Sequence, residues 1–223
     1  MAVVTVSREL GSEGSLVAKL AAETLGYHLA DEGTLEIMLK GYGLVKFDQD
    51  YHKIPGFWDR FDIAKNEERD TFLMMLNHSM QALAAHGDVV IVGRGGFAVL
   101  AGLADVLNVR VQAPLNLRIE RAEDLPSLPE PGRAAGLVKG NDKIQKTFIE
   151  SVYGVQWDNA SSYDLVLDTA KITPELASGL IVESVRALNV PRLRQVRTAA
   201  DLQVDKVLAL TVHEVLHCEM AHV

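Results

Sequence analysis

The feature that most constrains this chain lies at its beginning. Val3-Val4-Thr5-Val6-Ser7 is a short run rich in β-branched residues, and it reads as a buried strand. Gly11 and Gly14 mark a tight turn after it, and Val17, Leu20, Ala21 and Leu25 then share one face of a helix. A strand, a glycine turn and a helix start in succession gather backbone N–H groups at a positive helix terminus, which is a recipe for holding a phosphate. Glycine loops of the form G-x-x-x-x-G-K-[S/T] add a lysine at that point. This chain has no lysine between Ser7 and Leu16.

The following sequence predicts more of the same alternation. The first strand covers 2–7 and the first helix runs from Glu13 to about Leu25, stopped by Gly26. Tyr27 to Ala30 form a short second strand. Asp31 follows it, either on the ligand-binding edge of a parallel sheet or as the N-cap of a helix over 32–40. Residues 41–56 are turn-rich, and Phe57 to His86 are helical with one break near Lys65–Arg69; the methionines there suit a core. Asp88 to Val92 is apolar on both faces, as a central parallel strand should be, and it runs into Gly93-Arg94-Gly95-Gly96. An arginine between glycines at a sheet edge suits anion binding better than a surface ion pair.

A strand over 106–112 leads to Ala113-Pro114 and a helix carrying Arg118 and Arg121 on one face. Those two arginines either reach one anion together or pair with Glu120 and Glu123 in solvent. Asp124 to Gly136, with prolines at 126, 129 and 131, looks like a lid or linker. A helix over 134–153, a strand over 163–168 and a helix capped by Thr173 with Pro174 at its first position complete the pattern. After Pro191 come Arg192, Arg194 and Arg197, then a helix from about Thr198 to the C-terminus. Its apolar surface calls for docking on its own domain or on a second subunit.

Within that last helix His213-Glu214-Val215-Leu216-His217 matches H-E-x-x-H. A metzincin-type third histidine would fall at position 223, which is Val223, so an ordinary packed helix is the better reading. A net charge of -8 and a pI near 5.4 argue against a dedicated nucleic-acid binder. Cys218, the single cysteine, excludes an intramolecular disulfide, and no apolar run approaches the roughly 20 residues that span a bilayer. With no leader-like N-terminus, the expectation is a soluble cytoplasmic protein.

In order and spacing, the chain resembles the cytidylate kinase-like family of P-loop nucleoside monophosphate kinases. The matching pieces are Val6-Ser7-Arg8-Glu9-Leu10-Gly11-Ser12, Ile91-Val92-Gly93-Arg94-Gly95 and Ala113-Pro114-Leu115 with Arg118-Ile119-Glu120-Arg121. They continue with Asp142-Lys143, Tyr153-Gly154-Val155-Gln156-Trp157 and Tyr163-Asp164-Leu165-Val166-Leu167-Asp168-Thr169. The resemblance implies a P-loop NTPase, three-layer α/β/α, with a five-stranded parallel sheet. It places a helical nucleotide-binding insert at about 32–86 and a lid at about 122–143, within a domain spanning 1–190. A helical extension over 191–223 follows.

The resemblance further implies transfer of the ATP γ-phosphate to a small nucleotide such as CMP. ATP would lie over Gly11, Ser12, Glu13, Gly14 and Ser15, with Mg held by the Ser15 hydroxyl. The acceptor would sit near Asp31, Arg94 and Asp164, and Arg8, Arg94, Arg118 and Arg121 would form the charge clamp. Aligned on the ordinary loop, Gly14 takes the lysine position and Glu13 replaces a glycine. A carboxylate there opposes triphosphate binding, which motivates an alternative: a non-catalytic nucleotide-binding or regulatory protein, with the terminal helix as the surface for a homo-oligomer.

Overall fold

The computed structural model describes residues 2–41, 66–124, 132–188 and 196–219. The turn-rich stretch 42–56, the proposed break near Lys65, the prolines of the expected lid and Arg192 and Arg194 lie outside the described residues.

Five strands form one parallel sheet: β1 (Val3–Arg8), β2 (His28–Ala30), β3 (Val89–Val92), β4 (Val106–Gln112) and β5 (Leu165–Asp168). Their order is β2-β3-β1-β4-β5, so β1 is central and its C-terminal end opens between those of β3 and β4. A parallel sheet covered on both faces needs strands that are apolar on both, and Val4, Val6, Val90, Val92, Val109 and Val111 meet this on one side.

That side is covered by α1 (Gly14–Leu25) through Val17, Ala18, Ala21 and Ala22. A later helix, Pro174–Ala187, adds Ala177, Ile181, Val182 and Val185 to the same layer. The small side chains of α1 let it lie close to the sheet, and Gly26 ends it at φ 69 with its N–H on Ala22 and Glu23 carbonyls. The opposite face is covered by α2 (Glu32–Gly41), α3 (Asn66–His86), α4 (Gly96–Val99) and α6 (Ala134–Tyr153), with α5 (Leu115–Glu123) preceding α6. Leu35, Met38, Leu76, Met80, Leu83, Phe148 and Ile149 fill this second core, each worth about 1.5–3 kcal/mol when fully buried. The helix Pro174–Ala187 is α7, and Thr173 caps it by accepting from Leu176 N–H at 3.3 Å.

The terminal segment departs from the expected single helix. Thr198 opens a one-turn 3₁₀ segment, Ala199–Asp201, through a capping box closed by the Asp201 carboxylate. The backbone is extended at Leu202, and α8 (Lys206–Glu219) starts where the Asp205 carboxylate accepts from Val207 N–H at 2.8 Å. Leu208, Val212 and Leu216 are buried in the second core, against α2 and α3, so this part of the apolar surface docks on its own domain. Val207 and Leu210 remain exposed. His213 and Glu214 lie on the exposed side of α8. Among the described residues no group of three His, Cys, Asp or Glu side chains is placed to hold a metal, and no helix is long and apolar enough to cross a membrane.

Candidate active site

The β1–α1 turn has the geometry that its glycines require. Gly11 sits at φ 79, and a Cβ there would collide with the backbone carbonyl of Arg118, so the loop lies directly on α5. Buried Ser12 folds the turn back, its N–H and hydroxyl donating to the Glu9 carbonyl at 3.1 and 2.7 Å. Glu13 is the N-cap in the left-handed region, φ 60 and ψ 14, and its side chain makes no capping hydrogen bond. The first bond of the helix joins Val17 N–H to the Glu13 carbonyl at 3.0 Å, which leaves the first-turn N–H groups pointing past the helix end. The positive terminus of α1 is therefore open rather than plugged by its own cap.

Both arginines of α5 reach this loop, and both are engaged there. Buried Arg118 donates from Nε to the Ala113 carbonyl at 2.9 Å and meets Glu9 Oε2 at 3.2 Å. Its other nitrogens reach the Leu10 carbonyl at 3.3 Å and both oxygens of Asp142 at 3.0 and 2.9 Å. Arg121 donates to the Gly11 carbonyl, to Thr169 Oγ1 and to the Thr169 carbonyl, and it pairs with Glu13 Oε2 at 2.9 Å. Neither takes Glu120 or Glu123 as the partner that fixes it. Arg118 ties the loop to α6 through Asp142, and Arg121 ties it to the end of β5 through Thr169, whose hydroxyl also donates to the Ser12 carbonyl.

Below the loop lies a polar strip that sequence reasoning did not single out. Parallel register sets Thr5 beside Asn108 and Ser7 beside Arg110 on one face of β1 and β4. Arg110, 3% exposed, donates to the Trp157 carbonyl and to Glu9 Oε1, each at 2.9 Å, and stacks over the Trp157 ring at 4.4 Å. Glu9 accepts in addition from Ala113 N–H at 3.2 Å, so one carboxylate joins β1, β4 and α5. Ser7 Oγ accepts from Trp157 Nε1 at 3.0 Å and donates to the Tyr163 hydroxyl oxygen at 3.3 Å, whose own proton goes to the Trp157 carbonyl at 2.8 Å.

Burial pushes the Tyr163 phenol above its ordinary value of 10.0. Its neutral form is favoured in the fold, so stability is intact below pH 10 and falls as pH rises between the free phenol's pKa and the raised one. Tyr163→Phe is expected to flatten that alkaline decline in denaturant titrations at pH 9–11, at a cost near neutrality of about 1 kcal/mol for the lost hydrogen bond to the Trp157 carbonyl. An unchanged alkaline slope would assign the decline to other groups.

A small cleft opens between the C-terminal ends of β1 and β3, lined by Thr5, Ser7, Arg8, Arg94, Gln145 and Trp157 among others. Arg94 is left-handed at φ 55 and forms an ion pair with Glu32 at the start of α2. A Cβ on Gly95 would strike the Tyr153 ring, and the Tyr153 hydroxyl donates to Asn77 Oδ1 at 2.9 Å. Arg8 runs along the border of the loop and this cleft. Its Cβ and Cγ lie against Gly14, and its guanidinium lies against Gly93.

The other expected site residues divide. Asp31 follows β2 and caps α2, accepting from Thr34 N–H at 3.1 Å. Asp164 precedes β5 at the opposite end of the sheet, where its carboxylate accepts from Asn108 N–H at 2.7 Å. About 13 Å of strand separates it from the C-terminal edge, so the structure does not bring it to the cleft. Ser15 is exposed in the first turn of α1, next to the open terminus.

Comparison with known proteins gives four points of reference. The model of the cytidylate kinase-like family matches residues 3–171. A cytidylate kinase of Ignicoccus hospitalis is 28% identical over 191 residues, covering 84% of this chain and 99% of its own. A uronate isomerase of Corynebacterium glutamicum is 33% identical over 97 residues, but the chain spans only 18% of its length. Among solved structures, an uncharacterized protein from Eubacterium ventriosum superposes with a TM-score of 0.64 over 84% of this chain and 99% of that one. At 19% identity that likeness speaks for the fold alone.

Proposed function

The chain belongs to the cytidylate kinase-like family, and from that premise we propose that it transfers the γ-phosphoryl group of ATP to a small nucleotide, a nucleoside monophosphate such as CMP. The observation that carries this reading is the uncapped N-terminus of α1 facing, across Arg8, a cleft edged by Gly93-Arg94-Gly95. The two halves of a phosphoryl transfer, a donor cradle and an acceptor cleft, thus adjoin at one sheet edge.

In the proposed reaction a phosphate oxygen of the acceptor attacks the γ-phosphorus. The bond from that phosphorus to the β,γ-bridging oxygen breaks, and ADP leaves with the bonding pair. A phosphate monoester is largely dianionic at neutral pH, so its oxygen needs no protein base. The residues act by position and charge. Gly11, Ser12, Glu13, Gly14 and Ser15 place first-turn N–H groups at the donor phosphates, while Arg94 and Asp31 flank the acceptor. Arg8, Arg118 and Arg121 set the potential between them. Mg²⁺ prefers oxygen ligands and keeps several waters, which suits an exposed hydroxyl beside bound phosphates; Ser15 Oγ is the residue that would hold it. The metal supplies neutralisation of the charge on the transferring group.

An assay that couples ADP release to a reporter, run over CMP, dCMP and UMP beside an active control kinase, tests the reading. Turnover with at least one acceptor is expected, and Ser15→Ala should lower kcat about 100- to 1,000-fold, the scale of one electrostatic contact to the transition state. Calorimetric binding of nucleotide without turnover on any acceptor would replace the kinase by a nucleotide-binding protein on the same fold. The Glu13–Arg121 pair inside the loop is the observation that favours that outcome.

A further inference from the structure

The absent lysine and the presence of Gly14 have one explanation in the packing around the loop. Gly14 is buried as the first residue of α1, and a Cβ on it would collide with Arg8 Cβ and stand 3.2 Å from Arg8 Cγ and 3.0 Å from Val111 Cβ. The stem of Arg8 therefore fills the space through which a side chain at position 14 would leave the backbone. From there the arginine runs to Gly93, where a Cβ would meet its Nη1 and lie 3.1 Å from its Cζ. Gly93 is at φ 74, and Gly96, in the same turn, is also buried. Glycine on both flanks keeps the path of one long side chain clear from the donor loop to the acceptor turn.

We propose that Arg8 is the phosphate cation of this loop, delivered from the end of β1 instead of from the start of α1, and that it excludes a side chain at position 14. The inference rests on the reading of the loop as a phosphate cradle. Its ligand is a polyphosphate chain, with the guanidinium at the junction of donor and acceptor. Arginine suits that junction because its planar fork reaches two oxygens at once, whereas a lysine is a point charge.

The test is a double-mutant cycle on the full chain, read as Mg-ATP affinity by calorimetry, with thermal unfolding as a check on folding. R8A is expected to weaken binding at least tenfold. G14K should gain nothing in the native background, where Arg8 blocks it, and R8G/G14K, which also removes the Cβ that an alanine would keep against position 14, should bind at least fivefold tighter than R8G. R8K should bind between the native protein and R8A, keeping the charge without the fork, with R8Q as weak as R8A, which reads charge even if the position-14 variants fail to fold. Binding by R8A within twofold of native overturns the proposal, as does R8Q matching R8K. A native protein that binds Mg-ATP but turns over no acceptor removes the kinase reading and leaves this inference standing; one that binds no Mg-ATP overturns both.

Discussion

Glu9→Ala is expected to destabilise the protein by about 3–5 kcal/mol, the cost of stranding buried charge when one partner of an ion pair is removed. Glu9 is the only carboxylate in the described contacts of Arg110, whose side chain is 4% exposed, and it is one of two on Arg118 at 6%. Arg110 would keep its Trp157 carbonyl and its stacking on the indole, but a full guanidinium charge would remain under the sheet edge without a counter-ion. Ala113 N–H would lose its acceptor as well. The same carboxylate holds Ala113 N–H and Arg118 beside the β1–α1 turn, so loosening should appear in function before global unfolding. Denaturant unfolding at 25 °C checks the stability figure. Glu9→Gln, which keeps one acceptor oxygen and the volume, should cost about 1–3 kcal/mol. A loss under 1 kcal/mol for the alanine variant would mean that water replaces the carboxylate and that the network is peripheral to the fold.

This network also marks where the sequence stops being legible. The strand 106–112 and the helix 134–153 have the bounds expected from their periodicity, because apolar spacing along a strand or helix is a local property. Arg110 within a run of valines was a local signal too, since it repeats Asn108 on one face and so announces a polar strip. Its counter-ion was not legible, being 101 residues away and brought near only by the parallel pairing of β1 with β4. Asp164 shows a different failure. A residue before a strand enters the sheet at the edge away from the ligand, so its pairing with Asn108 follows from strand direction alone. The break before α8 was written in Asp201 and Asp205, two capping side chains inside what periodicity reads as one continuous helix. Arg118 and Arg121 were correctly placed on one face. Their engagement by Asp142 and Glu13 depends on tertiary approach, which spacing along one helix does not encode.

Glu13→Gly is expected to tighten Mg-ATP binding on the order of tenfold while leaving stability within about 1 kcal/mol of native. Two unit charges 4 Å apart interact by about 4 kcal/mol at an effective dielectric of 20. The Glu13 side chain is 35% exposed, and solvent screening brings the penalty against a phosphate down to about 1–2 kcal/mol. Removing the carboxylate also releases the Arg121 nitrogen that now pairs with it, adding a cation at the loop. The stability terms offset one another. Glycine relieves a left-handed φ of 60 worth about 1 kcal/mol, and it returns a similar amount as extra freedom of the unfolded chain. Glu13→Gln separates the causes, since it keeps the backbone strain and loses only the charge; it should bind nearly as tightly as the glycine variant. Calorimetry in low and high salt reads the result, with the gain shrinking as salt screens the native repulsion. Weaker binding by both variants would show that the carboxylate helps the ligand, by holding Arg121 in place or by meeting a cation. The loop would then be built around Glu13 rather than in spite of it.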